Sequence, residues 1–480
     1  MNYETVIGLE THIELATKSK LFCACATTFG VDANENICPA CMGMPGMTAV
    51  TNYHAVTLGI AAALVTNSEI AATMTFDKKS YFYPDLPGGY QITQMFAPIC
   101  RNGWLDIKTA TATRRITLKQ IHIEEDAGKL VHDIVAGATL VDFNRASVPL
   151  AEIVTNPDFR SAEEVVAYLE KLRSLLSFAG ISDCKMQEGS MRCDVNISVR
   201  KVGDVTFGTR TEIKNMNSLR AITRAIEYES ERHIDALESG SNELIQETRR
   251  WDDGKGITVA MRDKEDAADY RYFPNPELLP ITISDEWIDS VRASLPESAE
   301  AKYTRMTTQM GLSDYDSRII TGSRALSQIF DETLRDFSKP KDVVNWIMVE
   351  LLSVAKGDNK GEDDISIDSK KFAKLISLVD QGVINRTIGK EILVKILADD
   401  IDPEKYIAAH GLASITDSSF ITRLIDEVMS EYAASVAEYL GGNEKAYGFL
   451  VGQVMRKAER KADPKTVNEM LRAELKRRAN

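Results

Sequence analysis

The periodicity of apolar residues changes once along this chain, after the segment DYRYFPNPELLP (269–280). Before it, short stretches alternate apolar and polar residues between Gly- and Pro-containing turns, which is typical of β-strands. After it, apolar residues recur every three or four positions, as in Phe372, Leu375 and Ile376, which predicts helices. The pattern therefore predicts an α+β fold, with a mixed α/β part followed by an all-helical part.

Length and charge restrict the possible classes of protein. At roughly 100–200 residues per domain, 480 residues suggest about three domains. The formal net charge of -14 argues against a surface that is basic everywhere, but it leaves room for a local basic patch. Neither a targeting segment nor an apolar run of about 18 residues is apparent. We therefore expect a soluble, cytoplasmic protein without a membrane partner.

One helix of the mixed part is well marked. Ser161 and Glu164 form a capping box ahead of an apolar stripe, and Gly180 is a typical stop signal. These signals predict a core helix between residues 161 and 180.

The first strand carries an unusual set of polar residues. In VIGLETHIEL (6–15), side chains alternate between two faces, so Glu10, His12 and Glu14 share the face opposite the apolar residues. A solvated sheet surface would explain this pattern. So would a site for Mg²⁺, which prefers carboxylate oxygens and tolerates an imidazole.

Further carboxylates favour the metal site. Glu124, Glu125 and Asp126 directly follow an alternating strand, and Glu152 stands alone within an apolar run. An isolated buried carboxylate is costly unless it is paired, hydrogen-bonded or bound to a metal. Convergence of Glu10, His12, Glu125 and Glu152 on one ion is therefore a hypothesis that spacing alone does not prove. Two later stretches, 192–200 and 210–214, also present densely polar faces, which fit a solvated surface or a substrate-lining one equally well.

Four of the seven cysteines are clustered. Cys23 and Cys25 are followed after twelve residues by Cys38 and Cys41. Two close pairs of thiolates suit tetrahedral, structural zinc, and four free thiols are the alternative. The spacing predicts a zinc knuckle over residues 23–41.

Nucleotide and nucleophile signals are sparse. The chain has neither a P-loop nor a dinucleotide fingerprint, so Lys78 and Lys79 are the candidate phosphate contacts, with ordinary surface charge as the alternative. Cys100, Cys184 and Cys193 have no histidine near them in sequence, and no nucleophile elbow occurs. Any ammonia used by this chain should come from another protein.

The C-terminal segment is locally basic. Between Arg456 and Arg478 there are nine Lys/Arg and four Asp/Glu. This pattern fits a phosphate-binding surface or a solvated helix face. The candidate nucleic-acid contacts are Arg456, Lys457, Arg460, Lys461 and Lys465.

Taken in order, several of these stretches resemble the B-subunit family of bacterial-type aspartyl/glutamyl-tRNA amidotransferases. The similar segments are YETVIGLETHIEL, FDKKSYFYPDLPGGYQITQ, HIEEDAGK, EGSMRCDVNISVR, EIKNMNSLRA, QETRRWDD, DYRYFPNPEL and GFLVGQVMRKAERKADPKTVNEML. The resemblance extends essentially from end to end. It implies that Mg-ATP converts the side-chain carboxylate of Glu-tRNA(Gln) or Asp-tRNA(Asn) into an acyl phosphate, which ammonia then turns into the amide.

The resemblance also implies roles for particular residues. Glu10, His12, Glu125 and Glu152 match the family's metal ligands and catalytic positions. Lys79 matches a loop facing phosphate or the ammonia tunnel, Lys78 is its neighbour, and Glu124 is a secondary cofactor-binding candidate beside the site. Many relatives carry lysine at Gly88, so any basic role of that position is absent here or falls to Lys78 or Lys79.

Domains and partners are implied in the same way. The expected domains are a cradle-shaped catalytic domain (1–293), a helical domain (294–408) and a YqeY-like tail that binds tRNA (409–480). An amidase A subunit would supply ammonia from glutamine, a small C subunit would complete a heterotrimer, and the misacylating aminoacyl-tRNA synthetase is a further candidate partner. The rival hypotheses are a non-catalytic tRNA-binding zinc module and an ATP-independent metal hydrolase.

Overall fold

The computed structural model describes residues 2–135, 137–240, 244–263, 270–357, 361–413, 418–458, 462 and 464–479. The chain divides into two compact units, Met1–Ser298 and Ala299–Asn480. The first unit mixes strands and helices, and the second is helical throughout its described part. The predicted α+β class, with a mixed part followed by a helical part, is therefore confirmed. The finer domain boundaries at residues 293 and 408 stay predictions.

In its described residues, the first unit contains all the strands and four α-helices. The strands are β1 (Tyr3–Glu14), β2 (Glu69–Ile70), β3 (Thr73–Met74), β4 (Asp77–Ser80), β5 (Tyr90–Thr93), β6 (Cys100–Lys108), β7 (Thr113–Glu125), β8 (Lys129–Val135), β9 (Ala138–Asp142), β10 (Pro149–Thr155), β11 (Met191–Lys201), β12 (Thr211–Lys214), β13 (Glu247–Asp252), β14 (Ile257–Asp263), β15 (Phe273–Pro274) and β16 (Ile281–Thr282). The helices are α1 (Tyr53–Val65), α2 (Ala162–Ala179), α3 (Leu219–Ser239) and α4 (Asp285–Ser294).

A nine-stranded sheet organises this unit. Its order is β14-β13-β12-β11-β1-β10-β7-β6-β2, so β1 lies at the centre between β10 and β11. Neighbouring strands are antiparallel except for the parallel pair β12 and β13. Smaller sheets join β15-β4-β5, β16-β3 and β8-β9.

The two faces of the central sheet differ in polarity. Ile7, Leu9 and Ile13 of β1 lie in the main hydrophobic core, to which α1, α2 and α3 contribute. Period-two alternation places the polar residues of β1 on the other face. One face of the sheet is thus packed against helices, and the opposite face carries the polar side chains that are candidates for a functional site.

Helix α2 begins and ends at the expected residues. The hydroxyl of Ser161 accepts the N–H of Glu164, and Gly180 adopts the left-handed conformation that favours glycine. The Glu164 carboxylate accepts the N–H of Arg160, one residue earlier than in a standard capping box. The helix predicted over 161–180 is confirmed.

The second unit is built from helices. They are α5 (Ala299–Thr308), α6 (Asp314–Gly322), α7 (Arg324–Asp336), α8 (Pro340–Asn345), a π-helical turn (Trp346–Leu351), α9 (Leu352–Gly357), a 3-10 turn (Glu362–Asp364), α10 (Ser369–Asp380), α11 (Arg386–Asp399), α12 (Pro403–His410), α13 (Ser418–Glu431), α14 (Ala433–Leu440), α15 (Glu444–Lys457) and α16 (Pro464–Ala479). The described residues of this unit form two separate hydrophobic cores, one between Met306 and Ile407 and the other between Ile421 and Leu475. Among the helices that the structure describes, none combines the length and the apolar character needed to cross a bilayer.

Candidate functional site

Strand register places a row of polar side chains on the face opposite the helices. His12 on β1 pairs with Glu152 on β10 and with Arg192 on β11. Glu152 in turn pairs with His122 on β7. Because directly paired residues on neighbouring strands point to the same side of a sheet, these groups lie next to one another.

The first polar group consists of His12, Glu124 and Glu152, whose potential ligand atoms all lie within 4.8 Å of one another. His12 Nε2 lies 3.5 Å from Glu124 Oε1 and 3.5 Å from Glu152 Oε2. His122 adds a second imidazole, with Nε2 2.7 Å from Glu152 Oε2. Oxygen atoms from two carboxylates and one imidazole nitrogen form a donor set that suits Mg²⁺ or Mn²⁺.

Charges within the first group are strongly coupled. Burial lowers the pKa of His12, but the Glu152 and Glu124 carboxylates outweigh it and raise that pKa to about 9. The same competition raises the pKa of His122 to about 10. Burial also works against the charged form of Glu152, yet the two histidines hold its pKa well below the usual range. The carboxylates of Glu124 and Glu152 therefore favour a positive charge next to them. Protonated histidines supply that charge, and a divalent cation would supply it as well.

A second group lies two residues along β1. Glu10, Asp194 and Glu212 likewise bring potential ligand atoms within 4.8 Å of one another. Lys214 Nζ lies 2.6 Å from Asp194 Oδ2 and 3.4 Å from Glu212 Oε1. Burial, followed by the charges of Glu152 and Glu212, raises the pKa of Glu10. This part of the polar face also carries more negative charge than its cation balances.

Glu125 does not join either group. Its Oε1 accepts the N–H of Ile92 at 2.8 Å, and burial raises its pKa to about 7. Successive residues of a strand point to opposite faces, so Glu124 meets Glu152 while Glu125 points away from it. The structure therefore does not bring Glu125 together with Glu10, His12 and Glu152 as expected. Glu124, not Glu125, lies next to His12 and Glu152. Glu10 belongs to the second group rather than to the first.

The lysines of β4 have different surroundings. Lys78 is buried, and its Nζ lies 3.1 Å from Glu277 Oε1. Lys79 Nζ lies 4.7 Å from the centre of the Tyr270 ring. Thr93 of β5, the strand paired with β4, donates its hydroxyl to Glu124 Oε2 at 3.0 Å, so these two strands lie beside the first group. Lys79 is the better candidate for a phosphate contact because Lys78 is engaged by a carboxylate.

The four clustered cysteines converge. The sulfur atoms of Cys23, Cys25, Cys38 and Cys41 all lie within 4.8 Å of one another. The backbone N–H of Cys38 donates to Cys41 Sγ at 3.2 Å. A hydrogen bond that Cys41 accepts from the Cys23 thiol is the main cause that lowers the pKa of Cys41 to about 4. Four thiolates at this spacing form a donor set compatible with zinc.

The basic residues of the tail are only partly exposed. Arg456 and Lys465 are exposed, whereas Lys457 Nζ lies 2.8 Å from Glu431 Oε2 and 3.5 Å from Glu427 Oε2. The remaining candidates Arg460 and Lys461 lie outside the described residues. Acidic neighbours thus offset part of the positive charge.

Sequence reasoning did not assign ligand roles to His122, Asp194 or Glu212. A signal for His122 was present, because it stands two residues before Glu124 and must share its face. Asp194 and Glu212 were visible only as members of polar strand faces. Their meeting with Glu10 depends on the order of β1, β11 and β12 in the sheet.

Comparisons with known proteins agree with this architecture. Residues 5–289 match the GatB/GatE catalytic domain, and residues 328–475 match the GatB domain. The B subunit of the aspartyl/glutamyl-tRNA(Asn/Gln) amidotransferase of Lachnoclostridium phytofermentans is 51% identical over 470 residues, covering 98% of each chain. The proteins of the same name from Agathobacter rectalis and Caldicellulosiruptor saccharolyticus are 50% and 48% identical, over 98% and 99% of this chain and 99% and 100% of their own. This chain belongs to the family of aspartyl/glutamyl-tRNA(Asn/Gln) amidotransferase B subunits.

Proposed function

We propose that this chain activates the side-chain carboxylate of Glu-tRNA(Gln), Asp-tRNA(Asn) or both with ATP, and converts it into the amide with ammonia. The observation that carries this proposal is the polar face of the central sheet, on which His12, Glu124 and Glu152 meet next to the group of Glu10, Asp194 and Glu212. The names of the relatives supply the substrate class.

The proposed reaction has two steps, phosphorylation of the carboxylate and displacement of phosphate by ammonia. A carboxylate oxygen of the aminoacyl side chain attacks the γ-phosphorus of ATP, the bond to the β-phosphate oxygen breaks, and ADP leaves. The ammonia lone pair then attacks the acyl carbon, the carbon–oxygen bond to phosphate breaks so that inorganic phosphate leaves, and the nitrogen loses one proton to give the amide. Phosphorylation is necessary because a carboxylate lacks a good leaving group.

The proposed roles follow from the chemistry of the donor sets. His12, Glu124 and Glu152 would hold Mg²⁺, with Glu10 at the adjoining group. When bound, Mg²⁺ neutralises phosphate charge and orients the transferring group. Lys79, on β4, would contact phosphate. The four cysteines would hold zinc as a structural brace, since a closed four-thiolate set leaves no position for substrate.

Partners are part of the proposal. The relatives are named as B subunits, which indicates a multi-subunit enzyme. We propose that an amidase A subunit releases ammonia from glutamine and that a small C subunit completes the assembly. The misacylating synthetase is a further candidate partner, and the tail would contact the tRNA.

The decisive assay is conversion of Glu-tRNA(Gln) to Gln-tRNA(Gln) by the chain in complex with its amidase and small partner subunits. Ammonium serves as the nitrogen donor, which bypasses the glutaminase, and ATP is present or omitted. We expect product only with ATP, loss of product in Glu152→Gln, and normal product in Glu170→Gln, which changes an exposed carboxylate of α2.

Other outcomes lead to the rival functions. Release of free glutamate from the tRNA without ATP would indicate a metal-dependent hydrolase. Absence of product under all conditions, with tRNA binding intact, would indicate a binding module. Repeating the assay with Asp-tRNA(Asn) determines which substrate is served.

A further inference from the structure

A buried lysine lies beside the four cysteines. Lys20 has a relative exposure of 0%, and its Nζ lies 3.6 Å from Cys41 Sγ and 3.1 Å from the Phe143 carbonyl oxygen. Removing an ammonium group from water is strongly unfavourable unless a negative charge and hydrogen-bond acceptors compensate for it. The surroundings of Lys20 must therefore supply that compensation.

The carbonyl oxygen and a protonated thiol do not suffice. A carbonyl carries only a partial charge, and a thiol is a weak acceptor. A thiolate carries a full negative charge, and cysteines bind metal ions only in this form. Cys41 is thus a strong partner for Lys20 when the cysteine cluster holds a metal ion.

The metal site in turn benefits from the lysine. Four thiolates around one zinc ion leave two negative charges in excess, and these repel one another in a poorly hydrated site. Groups that donate hydrogen bonds to metal ligands are known to tune metal affinity. We propose that Lys20 is the charge-balancing partner of the metal-bound Cys41 thiolate and thereby a determinant of zinc affinity.

The same lysine connects the knuckle to the strands of the first polar group. It donates to the carbonyl of Phe143, and the N–H of the next residue along, Leu21, donates to the carbonyl of Ser147 at 2.8 Å. The N–H of Ser147 donates to the carbonyl of Asp126 at 2.9 Å, directly after β7. The segment 143–148 leads into β10, so Lys20 is a positioning residue between the metal cluster and the strands that carry Glu124 and Glu152.

The test measures zinc affinity of the full chain by competition with a chromophoric chelator. Lys20→Met removes the charge and nearly preserves the volume, while Lys18→Met removes an exposed charge two residues away. We expect Lys20→Met to weaken zinc binding by about 10–100-fold and Lys18→Met to leave it unchanged. Equal affinity of Lys20→Met and the unchanged chain would overturn the proposal.

Lys20→Gln separates the effect of charge from that of hydrogen bonding. It also tests the proposal if Lys20→Met does not fold. Glutamine retains N–H donors, so a role in packing or hydrogen bonding alone predicts normal zinc affinity, whereas charge balance predicts weakened affinity. In the Co²⁺-substituted chain, we further expect the thiolate-to-metal charge-transfer band of Lys20→Gln to move to lower energy. An unmoved band together with normal affinity would contradict the proposal.

The connection to the strands has its own measurement. Removing zinc from the unchanged chain should accelerate amide hydrogen exchange in peptides that cover 143–148, and Lys20→Gln should exchange faster there even with zinc present. Exchange that is insensitive to both changes would refute the positioning role. None of these measurements depends on amidotransferase activity, so their results test the role of Lys20 independently of the proposed function.

Discussion

The Glu152 carboxylate on β10 lies 2.7 Å from the imidazole Nε2 of His122 on β7. The same carboxylate oxygen lies 3.5 Å from Nε2 of His12 on β1. Glu152 therefore joins three adjacent strands of the central sheet through a single side chain. The two histidines offset the charge of Glu152, and a divalent cation would compete with them for this carboxylate.

Two adjacent glutamates should differ sharply in metal binding. Glu124 faces His12 and Glu152, whereas Glu125 points away and accepts the N–H of Ile92. We expect Glu124→Gln to lower Mn²⁺ affinity by more than about tenfold and Glu125→Gln to leave it unchanged, as measured by electron paramagnetic resonance titration. Loss of Mn²⁺ binding in Glu125→Gln alone would restore Glu125 as the ligand and contradict the geometry.

Lys214 should limit metal binding at the second group. Its ammonium lies between Asp194 and Glu212 and offsets part of their negative charge. Lys214→Met leaves these carboxylates without that cation, so we expect Mn²⁺ to bind more tightly there and the titration to show an additional site. The matched control is Lys201→Met, which changes an exposed residue at the end of β11. An unchanged number of bound Mn²⁺ ions would show that the Lys214 ammonium does not prevent a metal ion from binding at the second group.

A buried ionic network under the outer strands should make stability depend on acid pH. Glu229 of α3 is fully buried and lies 2.8 Å from Arg232 Nη2 and 3.3 Å from Arg249 Nε. Burial raises the pKa of Glu229, but hydrogen bonds from His233, Arg232 and Thr258 outweigh it and lower the pKa to about 2. Its stabilising contribution is complete above the unfolded pKa of about 4.5 and is lost as the pH falls towards 2.

Replacement of Glu229 tests this network. At pH 7, Glu229→Gln removes the buried carboxylate and leaves Glu247 as the acidic partner of Arg232 and Arg249. It should lower the free energy of unfolding by about 3 kcal/mol. The difference from the unchanged chain should shrink as the pH falls from about 4.5 to 2. Urea denaturation followed by tryptophan fluorescence measures it, with exposed Glu227→Gln on the same helix as the control. A difference that is independent of pH would show that the charge of Glu229 is not responsible.

Only some basic residues of the tail should contribute to tRNA binding. Arg456 and Lys465 are exposed, whereas Lys457 is paired with Glu427 and Glu431. We expect the double change Arg456→Ala and Lys465→Ala to weaken binding and to reduce the slope of log K against log salt by about 0.7–0.9 per lost phosphate contact. Lys457→Ala should have a smaller effect. The measurement is fluorescence anisotropy at several salt concentrations.

The control for the tail is Lys445→Ala, at the opposite end of α15. If Lys445→Ala weakened binding as much as the double change, the effect would reflect overall charge rather than a defined contact surface.

The sequence by itself determined the features that depend on local chemistry. Alternation with period two marked β1, and helical spacing together with Ser161 and Gly180 marked α2. Close spacing in the chain also predicted the cysteine cluster, because each pair of thiols is separated by only one or two residues. Backbone geometry over a few residues is sufficient for each of these predictions.

Only the tertiary structure decided which side chains meet. The pairing of His12 with Glu152, and of Glu152 with His122, joins strands far apart in the chain. A shift of one residue in that register would turn the opposite set of side chains toward the site. Glu124 rather than Glu125 therefore completes the group of His12 and Glu152. The burial of Lys20 beside Cys41 is likewise visible only in the folded chain. Long-range packing, not the local sequence pattern, determines both of these arrangements.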